Sequence, residues 1–165
     1  MSDKIVKKVE NLPQLTAVKR TDKLIQRVAA YARVSTGKEE QQTSIVAQKE
    51  YYTDYIKSHA GWQFVGVYAD EGISGCSTKR REQFKQLMSD CMAGKIDMVL
   101  TKSISRFGRN TVDTLTTIRE LKSKGIGVYF EKEQVWTMDS KGEFIITLMS
   151  SLAQEESRSM SENIL

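Results

Sequence analysis

Proline is almost missing from this chain. The one proline is Pro13, and everything after it is free of the ring that breaks helices and strand ladders, which suits regular secondary structure to the end. Cysteine is nearly as scarce: Cys76 and Cys91 stand apart and form no C-x-x-C pair, so neither a disulfide framework nor a zinc site is indicated. The single histidine, His59 in SHAGW, reads as a solvated residue at a frayed helix end. A histidine metal centre or a Ser-His-Asp triad would need that ring carried to a distant partner. No apolar run approaches the roughly 18 residues of a membrane span, and MSDKIVKK lacks the apolar core of a signal peptide. The expectation is a soluble, cytoplasmic chain with no cofactor, no metal and no membrane partner.

An excess of one charge is also missing from most of the chain. The net +4 lies in residues 1–27, with seven Lys or Arg against three acids, while the remainder carries eighteen of each. Any case for a nucleic-acid partner therefore rests on local arginine clusters. Residues 1–26 read as a flexible basic leader. At 165 residues and 39% hydrophobic content the rest can bury one core.

What is present alternates regularly. An apolar strand at 27–33 precedes the polar stretch TGKEEQQ and a helix from about Thr43 to Ser58, closed by Gly61. WQFVGVYA (62–69) is a second strand, and the Gly- and Ser-rich DEGISGCST follows as a loop. From Lys79 the pattern turns helical, with Phe84, Leu87, Met88, Cys91 and Met92 on one face and Gly94 as the stop. IDMVLTK (96–102) is a third strand, SISRFGRN a loop, Val112, Leu115, Ile118 and Leu121 mark a third helix, and IGVYFEK (126–132) is a fourth strand. This order predicts an α/β fold with a mostly parallel central sheet of about four to five strands and helices on both faces. The α/β body runs over 27–139. Residues 140–165 read as a long C-terminal interface helix with Phe144, Ile145, Leu148, Met149, Leu152, Met160 and Ile164 at helical spacing. The pattern stops without a cap, as in a domain cut from a longer protein.

Functional groups in such sheets collect at the carboxyl ends of the strands, which places ARVST, DEGISG and SISRFGRN together. Ser35, at a strand end, is either a helix cap or a nucleophile. Around it stand Arg33, Arg80, Arg81, Arg106 and Arg109, permanently charged forks that match phosphate oxygens. Several in one place repel unless an anion sits among them, and a phosphodiester attacked by a serine hydroxyl is the anion that suits them. The alternative pairs each arginine with a nearby acid, Asp70, Glu71, Glu82 or Asp113, on solvated helix starts.

Tyr31-Ala-Arg33-Val-Ser35-Thr36, Gln48, Asp70-Glu-Gly-Ile-Ser74-Gly75, Arg81-x-x-Phe84, Lys102-Ser-Ile-Ser-Arg106-Phe-Gly-Arg109-Asn110 and Ala153-Gln-Glu-Glu156-Ser-Arg158 occur in one order over about residues 27–164. Together they resemble the catalytic domain of serine recombinases, and most of all the large serine recombinases of mobile elements. The resemblance implies a DNA strand-exchange enzyme in which Ser35 cuts a strand and stays on its 5′ end as a phosphoserine, without metal or ATP. It implies that Arg33, Arg81, Arg106 and Arg109 hold the scissile phosphate, with Tyr31, Gln48, Asp70, Ser74, Arg80, Lys102, Ser105 and Glu156 in support. It further implies double-stranded DNA as partner, a homodimer joined through the last helix, and a synaptic tetramer; the DNA-binding domain would lie outside this chain. Ser105 stands where small resolvases carry an acid, and Glu156-Ser157 where they carry Glu-Arg, so the general acid and base are left unassigned. Arg81 rather than Arg80 matches the family arginine because Phe84 follows at the family spacing. The competing readings are a catalytically silent phosphate- or DNA-binding dimerisation module and a response-regulator-like domain, which would need acids where Arg and Ser stand.

Overall fold

A computed structural model describes residues 25–35, 39–72 and 81–163. Ser74, Cys76, Arg80, Ile164 and residues 1–24 of the leader lie outside the described residues. Of Ser35, Gly72, Ser157 and residues 39–44 and 160–163, Met160 among them, the backbone alone is described.

The predicted alternation is present. Strand β1 (Gln26–Ser35) leads to helix α1 (Glu39–Ser58), β2 (Trp62–Gly72), α2 (Glu82–Met92), β3 (Met98–Thr101), the short α3 (Ile104–Phe107), α4 (Thr111–Ser123), β4 (Gly127–Phe130), β5 (Val135–Trp136) and α5 (Ser140–Asn163). The strands stand in the order β2-β1-β3-β4-β5. The first three neighbouring pairs are parallel, and β5 returns antiparallel to β4. Several boundaries differ from expectation. Ser35 is the last paired residue of β1, opposite Gly72, rather than a residue beyond the strand. Helix α1 begins at Glu39, inside the polar stretch, and SISRFGRN contains the turn of helix α3.

Alternation along the buried strands sends successive side chains to opposite faces, so each face takes its own helices. Ala29, Tyr31, Val99, Val128 and Phe130 pack with Phe84, Leu87 and Cys91 of α2, with Leu115, Ile118 and Leu121 of α4 and with Ile146 and Met149 of α5. On the other face Val28, Ala30, Ala32 and Leu100 meet Tyr52 and Ile56 of α1. The apolar spacing predicted for α2 is borne out, and truncating its wholly buried Leu87 to Ala would cost about 2–5 kcal/mol. Gly94 ends that helix at φ 78°, a left-handed position that side chains resist. Val112, expected in the core, is 44% exposed because only three of the four apolar positions of α4 face inward.

The pairing of β2 with β1 is irregular at one point. Val28 pairs with Phe64 but Ala29 pairs with Gly66, so Val65 is an extra, bulged residue. Trp62 and Phe64 before it, and Val67 and Ala69 after it, all serve the α1 face. The change of parity sends Tyr68 and Asp70 to the α2 face instead.

Candidate active site

Because β1 leads to β2 on one side and the chain then crosses to β3 on the other, the order of strands reverses between β1 and β3. Such a switch point leaves a crevice at the carboxyl ends of the strands. Here it is bordered by Tyr31, Ala32 and Arg33 from β1, Gln48 from α1, and Lys102 and Arg106 from beyond β3.

Arg33 is half-buried, and its Nη2 donates to the Ser105 carbonyl at 3.0 Å. Arg106 Nη1 donates in return to the Arg33 carbonyl at 3.3 Å, locking β1 to the turn after β3. Burial lowers the Arg33 pKa from its ordinary value, and the charges of Arg81 and Arg106 add to the effect. Desolvated cations set side by side make a site that gains by taking up an anion.

Arg81 lies behind this pair and is buried. Its guanidinium stacks over the Phe84 ring at 3.8 Å, reaches Tyr31 Oη at 3.4 Å, Asp113 at 3.5 Å and the Phe107 carbonyl. Asp70 fixes the arrangement from β2. It accepts the Tyr31 hydroxyl at 2.8 Å and the backbone N–H groups of Gln83 and Phe84 at 2.9 and 3.0 Å. Arg81 holds the cap position of α2 without a side-chain cap bond, so the carboxylate of a neighbouring strand satisfies the orphan donors of that helix. Burial raises the Tyr31 pKa, against the pull of Arg81, and the phenol stays a proton donor to Asp70.

The turn carrying Arg106 and Arg109 is shaped by Gly108 and Asn110, which stand in the quoted motif without a role assigned to them there. A Cβ at Gly108 would come within 2.7 Å of the Thr114 backbone nitrogen, so only glycine lets the turn lie against α4. Asn110 caps α4 by accepting the Asp113 N–H at 2.8 Å, and Asp113 accepts the Arg109 N–H at 2.9 Å. Their signal was the N-x-x-D spacing at the start of an apolar run. Asp113 also pairs with Arg81 and, at 3.8 Å, with Arg109. The acid-pairing alternative thus holds for those two arginines, while Arg33 and Arg106 use carbonyls.

Of the other expected site residues, Gln48 and Lys102 border the crevice, Ser105 Oγ bonds Ser103 Oγ at 3.0 Å, and Glu156 sits apart on α5, where it accepts Thr111 Oγ1 at 3.1 Å. Ser35 ends β1 two residues beyond Arg33. Among the described residues no group of His, Cys, Asp and Glu could hold a metal ion, and no helix is long and apolar enough to cross a membrane.

The profile of the resolvase N-terminal domain matches residues 28–165. The transposon Tn3 resolvase of Escherichia coli is 32% identical over 136 residues, covering 82% of this chain and 66% of the relative. The chain spans just under two thirds of the length of such relatives. A resolvase family site-specific recombinase from Streptococcus pneumoniae superposes with a TM-score of 0.70 at 29% identity, covering 84% of this chain and 93% of that one. The N-terminal catalytic domain of TP901-1 integrase gives 0.57 at 26% identity, covering 81% and 98%.

Proposed function

Because the chain belongs to the resolvase family, whose N-terminal domain it carries, we propose that it is the catalytic part of a site-specific DNA recombinase with Ser35 as nucleophile. The observation that supports the reading is the Arg33–Arg106 pair at the switch-point crevice, on the strand that Ser35 ends two residues further on. In the proposed reaction Ser35 Oγ gives up its proton and bonds to phosphorus, the bond from phosphorus to the 3′ oxygen breaks, and that oxygen leaves as a 3′ hydroxyl. The 5′ end stays on the serine as a phosphodiester, so attack by another 3′ hydroxyl reverses the step with no added energy source. Arg33 and Arg106 hold the non-bridging oxygens and stabilise the charge that grows on them. Arg81 and Arg109, tied through Asp113, hold the turn in place and add to the field.

Assembly follows from α5. Phe144, Leu148 and Leu152 form an exposed line along it, 62%, 46% and 57% accessible, opposite the face that Ile146 and Met149 bury. A second copy laid on this line would withdraw three large side chains from water. A homodimer on double-stranded DNA, two of which form a synaptic tetramer, is the working unit of the proposal.

The test is covalent trapping. The chain is fused to a sequence-specific DNA-binding module, given labelled DNA with matching flanks in EDTA, then denatured. A 5′-linked protein–DNA adduct that disappears in Ser35→Ala supports the reading; an adduct that survives the substitution overturns it.

A further inference from the structure

A second, larger hollow adjoins the arginine crevice. It measures about 510 Å³ and lies between α1 and the chain just beyond β3 and β4, bordered by Gln48, Tyr51, Tyr52, Lys102, Glu131 and Lys132. Gln48 and Lys102 border both spaces, so the two are neighbours. The volume is that of a small-ligand site rather than of a single anion.

Its walls have a definite chemistry. Beyond the last strand pair two backbone bonds still tie the chain ends together, Glu131 N–H donating to the Thr101 carbonyl at 3.0 Å and Lys132 N–H to the Lys102 carbonyl at 2.8 Å. Lys102 and Lys132, both exposed, border the hollow on this side. On the opposite wall Tyr51, half exposed, gives its hydroxyl to Glu131 Oε2 at 2.7 Å and meets Tyr52 edge-on with centroids 5.1 Å apart. Tyr55 stacks with it at 5.8 Å. The hydrogen bond and the two rings fix the orientation of the Tyr51 ring, which stands in the hollow as a rigid face. A fixed aromatic face opposite paired ammonium groups is the combination that holds a base by stacking and its phosphate by charge.

We infer that this hollow is a nucleotide subsite, in which Tyr51 stacks an unpaired base of the strand being cut and Lys102 and Lys132 hold the phosphate flanking the scissile one. The inference rests on reading the arginine crevice as the seat of a DNA phosphate. Strand exchange requires that base pairs next to the break come apart, and a stacking surface beside the crevice gives a released base a place to go. Because stacking tolerates any base, the subsite adds affinity without sequence preference.

The test is backbone-amide NMR on the chain, titrated with a short single-stranded oligodeoxynucleotide and then with the same sequence as a duplex. The single strand is expected to shift Ala47, Gln48, Tyr51 and Lys132 saturably. Tyr51→Phe should keep that affinity, whereas Tyr51→Ala should weaken it about tenfold or more and Lys132→Glu should weaken it as well. Folding of each variant is checked by its melting temperature. Shifts at Arg33 and Arg106 with Tyr51 and Lys132 silent would overturn the subsite and leave the recombinase reading standing. Silence at all of these positions would overturn the subsite too, and the trapping assay would then decide the reading independently. Unchanged affinity in Tyr51→Ala would likewise overturn it.

Discussion

Strand β1 carries an arginine near each end, and the two live in opposite circumstances. Arg27 places Nε and its backbone N–H on Asp97 Oδ2, each at 2.9 Å, and Nη2 on Oδ1 at 3.0 Å, while Asp97 N–H returns to the Arg27 carbonyl. Its pKa is raised, chiefly by the bond to Asp97. Arg33 has a neutral carbonyl as hydrogen-bond partner and Arg81 and Arg106 as electrostatic neighbours, and its pKa is lowered. One end of the strand satisfies its charge; the other leaves charge to be satisfied. Groups held short of their best electrostatic state are where a site should be sought, and a paired one of the same residue type on the same strand is the control.

The comparison can be broken most directly by truncating each arginine. Arg33→Ala is expected to slow adduct formation about 10²- to 10³-fold, as losing one transition-state donor does elsewhere, while denaturant stability falls by less than it does on truncating Arg27. A stability loss matching that of Arg27 would erase the distinction. Asp70→Ala joins the two behaviours, since it strands the Tyr31 hydroxyl and two helix N–H groups and releases the α2 start that carries Arg81. About 3 kcal/mol of stability should be lost in urea unfolding, together with adduct formation. Arg27→Met should cost about 1–2 kcal/mol and leave adduct formation intact.

Smaller effects sharpen the same contrast through pH. Asp90, away from the crevice, is held below the ordinary 3.8 by the Tyr68 hydroxyl first, then by Gln86 and Lys95. A depressed carboxylate contributes stability above that value and loses it as pH falls through it, so Asp90→Asn should flatten the acid limb of a stability profile. Tyr31, inside the crevice, is raised from 10.0. Its stabilisation is complete below pH 10.0 and is lost as pH climbs, so Tyr31→Phe should flatten the alkaline limb instead.

Much of the fold was legible in the sequence wherever a periodic pattern was long enough to read. The α2 face, the parallel alternation and the meeting of Arg33 with Arg106 all followed from spacing and from where strands end. The misses share a cause. Helix α3 and strand β5 are four and two residues long, too short to show a period, and the first turn of α1 is wholly polar. The exposure of Phe144, Leu148 and Leu152 was invisible for another reason: α5 bears apolar residues on two faces, and spacing alone does not say which one the core takes. The role of Asp70 as a cap for a helix eleven residues further on depends on tertiary approach, which no local pattern encodes.

The bulge at Val65 limits how this chain can change over time. Asp70 and Tyr68 serve the α2 face only because one surplus residue sits upstream of them. Between Trp62 and Asp70 the residue count is therefore as constrained as any side chain: a one-codon deletion there would turn the carboxylate toward α1 while every motif still read correctly. Alignment gaps among related chains should spare the stretch between Trp62 and Asp70.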